Sequence, residues 1–413
     1  MTGNPQQDVE QAIREHVATH APAEIDFLAA LVRTPSDNPP GDCAAHAEMT
    51  ASRLEGLGFT VERHPVPAEL CRAQGMAAVT NLIVRRTFGA GPVIALNAHG
   101  DVVPPGAGWS VDPYGGRIVN GTMYGRGVAV SKSDIATYAF ALLAAERSSA
   151  RLSGSVELHI TYDEETGGEI GPRWLLERGI SKPDLAVAAG FSYAVLTAHN
   201  GCLQLEVEVV GKSAHAAKPW TGIDALEAAN GIMRALYDHR RTLQEHPSSF
   251  PQIGAPQLTI GLIRGGINTN VVPDRVVFRL DRRITPEEEP GTVEADLRAL
   301  VAAAARGYPG SGAMVRRVLL AEPLRPLMGT AQLADVFCQR ASQVMDEAIS
   351  ISGAPLYTDA RHYAARGIPV VLYGAGPRTI EEANAHRADE RLSLSDLTRA
   401  TEVVALALTD LLR

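Results

Sequence analysis

The sequence predicts an α/β protein that carries a second, inserted α+β domain, and three observations lead there. At 413 residues the chain exceeds what one ordinary hydrophobic core organises, so two domains are expected. Strand-length apolar runs alternate with helix-period segments through residues 8–197 and again after residue 330. Between about 198 and 318 the order becomes strand, helix, strand, strand, helix, strand, which is the split ferredoxin-like sandwich.

The elements follow in chain order. Residues 8–33 read as an amphipathic helix closed by the turn TPSDNPPGD, and a second helix covers about 43–57. Strands are expected near 59–64, 78–86 and 92–98. SKSDIATYAFALLAAERSS is a strong helix with Ser131 or Ser133 as its cap. Strand 155–162 runs into DEETGG, and helix 170–178 and strand 184–189 follow. In the inserted region GCLQLEVEVVG alternates as a half-buried strand, and GIDALEAANGIMRALYDHRRTLQ is a long helix. PQLTIGLIRGG and NVVPDRVVFRLDRRI are strands, with a helix at 287–305 and a strand at 313–319 completing the set. The chain then returns with helix 330–345, strand 349–351, YTDARHYAARG, strand 369–373 and a final helix.

Composition excludes more than it selects. A net charge of −9 with no basic stripe argues against a nucleic-acid partner. No apolar run reaches 18 residues, so no membrane span is expected. The start, MTGNPQQDVEQAIREH, has no basic-then-apolar signal pattern, which favours the cytoplasm. Cys43, Cys71, Cys202 and Cys338 show no C-x-x-C spacing and suggest neither a disulfide framework nor a zinc ribbon.

The chemistry centres on Asn97–Lys132. The apolar run VIAL delivers His99 and Asp101 at the end of a strand, where open α/β sheets place ligands. Residues two apart on a strand point the same way, so an H-x-D pair is an imidazole held by a carboxylate, ready to bind a metal or move a proton. Downstream, TYDEETGG supplies Glu164 and Glu165. Adjacent strand residues face opposite sides, so both carboxylates serve one site only where the chain is already turning, and the glycines provide that turn.

These motifs, with VVPPGAGW, DPYGG and GTMYGRG between them, resemble the di-zinc family of aminoacylase, carboxypeptidase G, acetylornithine deacetylase and succinyl-diaminopimelate desuccinylase. The resemblance runs from LVRTPSDNPPGD to AHRADERLSL. It implies a phosphorylase/hydrolase-like zinc-exopeptidase catalytic domain, residues 1–197 and 319–413, and an inserted ferredoxin-like lid and dimerisation domain, 198–318. It implies His99, Glu165 and His386 (in NAHRADER) as metal ligands and Glu164 as general acid/base, with Asp101 beside them. It implies that His215, in GKSAHAAKPW, reaches a neighbouring subunit's site to bind the developing oxyanion, hence a homodimer. Read without the resemblance, His215 is a loop residue capping the helix near 223. Asn270 of GGINTNVVP, Arg283 of LDRRI, and Asp359 and Arg361 of TDAR match substrate-holding or site-flanking positions. Arg282 is an equal candidate for the inward-facing arginine of its pair.

Two departures qualify the implied zinc pair. The family pattern GRG-x-x-D-x-K reads GRGVAVSK here, so Val130 stands at the bridging carboxylate. The acid expected five or six residues after PD is absent from PDLAVAAGFSYAV, where Ala188, Ala189, Gly190, Phe191 and Ser192 occupy the region. The expectation is therefore one zinc ion at most, on His99, Glu165 and His386, or none. Asp134, one helical turn beyond Val130, is the alternative reach-back ligand, although a turn displaces a carboxylate by about 5.4 Å. The expected function is hydrolysis of an amide or N-acyl bond in a small carboxylate-bearing substrate. A metal-free acid/base enzyme, with Ser131 and Lys132 contacting an anionic substrate, and a non-catalytic binding protein are the two other readings.

Overall fold

A computed structural model describes residues 5–413. The chain forms two compact units. One comprises residues up to Thr197 with Pro326–Ser352 and Thr358–Arg413, the other Ala198–Arg325 with Gly353–Tyr357.

The first unit is built on an eight-stranded sheet. Its strand order is Val61–Pro65, Thr80–Thr87, Ser155–Thr161, Val93–His99, Leu185–Ala188, Val370–Leu372, Val195–His199 and Ile351–Ala354. The four strands Ser155–Thr161, Val93–His99, Leu185–Ala188 and Val370–Leu372 are mutually parallel, while the flanking strands Thr80–Thr87 and Val195–His199 run antiparallel to their neighbours. Both faces of a parallel core must be covered, which is why IALNAH and VELHIT are buried end to end. Helix Lys132–Arg147 lies against Val93–His99 and packs with Pro5–Arg33 and Leu394–Leu411. It is enclosed on nearly every side, so its AFALLAA run is apolar all round rather than amphipathic.

The helix begins at Lys132 as expected, but neither serine caps it with its side chain. Ser131 occupies the N-cap position, and its hydroxyl instead donates to His99 O (3.2 Å) and accepts from His99 N (3.0 Å). The hydroxyl thus ties the helix start to the end of the His99 strand. Two short helices, Ala68–Ala73 and Ala360–Ala364, and strand Arg391–Ser393 carry too few residues for a periodic pattern and were not foreseen. Arg391–Ser393 pairs with Thr122–Tyr124, which pairs with Arg117–Val119.

The second unit is a four-stranded antiparallel sheet, ordered Gln257–Gly265, Arg275–Ile284, Gly201–Val210 and Gly312–Ala321. Helices Ala225–Leu243 and Pro290–Ala305 cover one face, and the core is Leu203, Leu205, Val207 and Val209 against Ala228, Ile232 and Leu297. The last strand was expected to end at 319. It runs on because Leu320 and Ala321 still pair with Leu203 and Cys202. Alternation along Arg275–Ile284 decides the arginine question. Arg282 is buried and ion-paired to Glu288, whereas Arg283 is half-buried and donates from Nε to Asp281 at 2.9 Å.

Candidate active site

The carboxyl ends of the four parallel strands converge on one place. His99 closes Val93–His99, and two residues beyond Ser155–Thr161 the chain makes a single 3₁₀ turn, Glu164–Thr166. That turn folds both glutamates toward His99. One donor atom from each of His99, Glu164 and Glu165 lies within 4.8 Å of the other two. The turn needs its glycines. Gly167 and Gly168 have φ of +114° and +69°, and a Cβ on Gly168 would sit 2.2 Å from Asp359 Oδ1.

Asp101 is fully buried and holds the cluster together. Its carboxylate lies 3.3 Å from His99 Nδ1, and it accepts from Glu165 N (3.2 Å) and Asn38 Nδ2 (3.0 Å). The turn TPSDNPPGD thereby folds back over the H-x-D pair. Burial opposes a charge on His99, but Asp101, Glu164 and Glu165 together hold its pKa well above the usual imidazole range. Burial pushes the Glu164 carboxyl up to about 8, with Glu165 and Asp101 adding repulsion against the partial relief from His99. Glu164 Oε2 stands 3.9 Å from His99 Nε2.

His386 approaches from the loop before Arg391–Ser393. Its Nε2 is 3.3 Å from Glu165 Oε1, and that contact raises its pKa. The loop is secured by Glu390, whose buried carboxylate accepts from Arg126 Nη1 (2.6 Å), Gly127 N (3.1 Å) and Ala129 N (3.0 Å). Arg126 also lies over the Trp109 ring. Nothing in the sequence flags this pair, whose members are 264 residues apart. The glycine-flanked arginine of GRG and the acid after NAHRAD were the available signals.

Asp359 and Arg361 lie beneath the glutamate turn, each 4% exposed. Asp359 accepts from Thr161 Oγ1 at 3.3 Å, and burial with the nearby Glu164 charge pushes its carboxyl up to about 8. Arg361 donates to Gly167 O. Both side chains are engaged in supporting the turn. Asp163, unremarked in the sequence, accepts from Ile170 N at 2.6 Å and closes the loop from the other side.

The positions that depart from the pattern have a physical setting. Val130 is half-buried with its N–H on Glu390, and no residue of 188–192 is acidic. A side chain at Gly190 has no room, because its Cβ would meet Tyr373 N at 2.6 Å and Leu372 C at 2.7 Å. Asp134 accepts from Ala375 N at 2.7 Å, and burial raises its carboxyl to about 7. It is committed to the turn after Val370–Leu372. The expectation that Ser131 and Lys132 are available to a substrate is corrected. Ser131 is bound to the His99 backbone, and the fully buried Lys132 Nζ donates to Leu31 O (3.0 Å) and Thr34 O (3.1 Å). Tyr162, just before the glutamate turn, is fully buried and bonded to His46 at 3.1 Å.

The remaining expected site residues belong to the second unit. His215 and Asn270 are brought together where Ala214–His215 pairs with Val271–Val272 and Ala216 N donates to Asn270 O at 3.0 Å. Both are exposed. His215 Nδ1 accepts from Ala217 N at 3.0 Å, so the neutral ring carries its proton on Nε2 and can donate it. It does not cap the helix near 223; Asp224 does, accepting from Leu226 N and Glu227 N. Arg283 lies near the Tyr357 ring, 6.0 Å from its centroid.

The donor set suits a divalent cation. One imidazole and two carboxylates converge, and the buried Glu165 Oε1 has only the His386 ring, at 3.3 Å, as a neighbouring polar partner. His99, Glu164 and Glu165 are the residues whose donor atoms converge, and His386 reaches this group through Glu165.

Comparison with known proteins agrees with this geometry. Residues 95–410 match the peptidase family M20/M25/M40. A succinyl-diaminopimelate desuccinylase of Rhodospirillum rubrum is 30% identical over 391 residues, covering 91% of this chain and 94% of the relative. An acetylornithine deacetylase of Myxococcus xanthus is 29% identical over 367 residues, covering 87% and 90%. The crystal structure of the M20 metallo-carboxypeptidase Sso-CP2 from Sulfolobus solfataricus superposes with a TM-score of 0.75 at 18% identity, covering 94% of this chain and 98% of that one. The di-peptidase Dug1p from Saccharomyces cerevisiae gives 0.75 at 13% identity, covering 97% and 98%. No described helix is long and apolar enough to cross a membrane. The chain belongs to peptidase family M20/M25/M40 and is a hydrolase of amide C–N bonds.

Proposed function

We propose that the protein removes an acyl group from the nitrogen of a small, carboxylate-bearing amino compound, using one divalent cation, zinc being the expected ion. The observation that carries this is the convergence of His99, Glu164 and Glu165 at the ends of parallel strands, with one donor atom of each within 4.8 Å of the other two. The names of the relatives point to N-succinyl and N-acetyl amino acids as the first substrates to try.

A cation held by His99, Glu165 and His386 supplies positive charge that polarises a carbonyl and lowers the pKa of water. The chain's own residues do the rest. Asp101 fixes the His99 ring through Nδ1, leaving Nε2 toward the cluster. Glu164, whose high pKa falls once positive charge is present, takes the proton of the attacking water as the carbon–oxygen bond forms. It then gives that proton to the leaving nitrogen as the carbon–nitrogen bond breaks, and returns as a carboxylate. Asp359 and Arg361 hold the turn that aims Glu164. His215 is the donor to the oxyanion, through Nε2, with Asn270 beside it and Arg283 as the fork for the substrate carboxylate.

We further propose that His215 acts in the site of a second copy. The strand Gln257–Gly265 is an edge of its sheet and is exposed along most of its length, with Leu262 and Ile263 about half exposed and Ile267 82% exposed. An open apolar edge of this kind is a template for pairing with another chain. A metal-independent acid/base enzyme is the second reading, supported by the 3.9 Å approach of Glu164 to His99. Turnover that survives exhaustive chelation selects it. Glu164→Gln is expected to lower kcat by about 10²–10⁴-fold on N-acyl amino acids, and unchanged turnover sinks Glu164 as the base.

A further inference from the structure

The small sheet Arg391–Ser393, Thr122–Tyr124, Arg117–Val119 has an inner and an outer face. Met123 and Leu392 are buried on the inner one. Arg391 and Arg117 both pair with Tyr124, so the three residues form one cross-strand row on the other face, with Val119 two residues along. This row floors a cleft of about 380 Å³, walled by Ser110 and by Asp389. Strand spacing of about 4.7–4.9 Å sets the arginines roughly 10 Å apart astride the Tyr124 ring.

Several other arginines on the sheets are neutralised, although among the described residues Arg264 on Gln257–Gly265 is not. Arg275 pairs with Glu208, and Arg279 and Arg316 both pair with Glu206. In the cleft, neither Arg117 nor Arg391 has an acid or carbonyl partner among the described residues. The one acid in the wall, Asp389, accepts the Ser110 N–H at 2.9 Å. Two unpaired planar forks on either side of an aromatic ring, in an open cleft of this volume, match a small molecule bearing an oxyanion.

We propose that this cleft binds a small oxyanion-bearing molecule, a carboxylate or a phosphate, separately from the candidate active site. The two places share a loop. Asn384 and Asp389 line the cleft, while His386, between them, reaches Glu165. Arg391 is also next to Glu390, which holds the backbone of 127–130. A ligand gripped by Arg391 therefore touches the segment that presents His386.

The test is calorimetric titration of the full chain with succinate and, separately, inorganic phosphate. One equivalent of at least one probe is expected to bind, and whichever binds identifies the source of the oxyanion. Arg117→Ala and Arg391→Ala are each expected to weaken binding at least about tenfold, or 1.4 kcal/mol. Arg117→Lys and Arg391→Lys, which keep charge and fold but lose the fork, are expected to weaken it less. Glu165→Ala, which removes a candidate metal ligand, is expected to leave it intact. Binding that persists in both arginine-to-alanine variants overturns the proposal. Loss in Glu165→Ala alone puts the anion in the active site and also overturns it, as does no heat from either probe up to about 10 mM. None of these outcomes depends on turnover, so the proposed hydrolysis stands or falls apart from them.

Discussion

Gly190→Ala is expected to destabilise the protein markedly, although it adds a single methyl group. The new Cβ would lie 2.6 Å from Tyr373 N, 2.7 Å from Leu372 C and 3.0 Å from Tyr373 Cα. Non-bonded carbon atoms pack at about 3.5–4.0 Å, so the backbones must part by roughly 1 Å. They are stitched at that point by Tyr373 N to Ala188 O (3.1 Å) and Gly376 N to Gly190 O (2.9 Å). Overpacking costs about 1–3 kcal/mol, and a weakened buried hydrogen bond adds about 1 kcal/mol. The sum, about 2–4 kcal/mol, corresponds to a fall in Tm on the order of 2–7 °C for a chain of this size. Urea unfolding followed by circular dichroism, with calorimetry alongside, measures it. Gly56→Ala is the control, because its Cβ meets nothing within 4 Å at the end of a helix, and it should be neutral or slightly stabilising. A Gly190→Ala protein within about 0.5 kcal/mol of the parent would refute the packing argument. With it would go the explanation of why position 190 carries no side chain.

Zinc affinity should rise with pH between about 6 and 8. Glu164, pushed up to about 8, His99, well above the imidazole range, and His386, raised by Glu165, are protonated at the lower pH and must release protons to a cation. Each proton released steepens the dependence by about tenfold per pH unit, and a flat profile by chelator competition would contradict the cluster's charge state. The same Glu164 shift makes the metal-free protein lose stability as pH climbs from the ordinary carboxylate range toward 8, because its folded-state pKa is the higher one. Urea midpoints at pH 5 and pH 8, with and without zinc, read this out. Glu390→Gln leaves Arg126 buried without its carboxylate. It should cost about 3–5 kcal/mol and also loosen His386, seen as weaker zinc binding. His386→Ala should lose most zinc affinity with only a small fall in Tm, since His386 is exposed and its polar contact is with Glu165.

The site was legible where chemistry is dense in the chain. His99 and Asp101 are two apart on a strand, and Glu164 and Glu165 precede glycines, so local geometry alone brings each pair together. The inserted unit was legible because GCLQLEVEVV and RVVFRLDRRI alternate with period two, with a long helix between successive strands. What escaped depends on contacts distant in sequence. The Arg126–Glu390 pair joins residues far apart in sequence, and the crowding at Gly190 comes from a backbone nearly two hundred residues later. Ser131 was misread as a side-chain cap because helix-start chemistry is local, whereas the His99 backbone that captures its hydroxyl comes from the neighbouring strand. Arg282 and Arg283 were indistinguishable until the register of their strand was fixed by Cys202 and Leu203 opposite.

Metal stoichiometry tests the central claim most directly. Mass-spectrometric metal content should be taken on tag-free protein equilibrated with zinc, alongside His99→Ala and Glu165→Ala. One ion per chain in the parent, lost in both variants, is the predicted result. Two ions per chain would contradict the account, because Val130, the packed Gly190 and the committed Asp134 leave the second ion without its carboxylates.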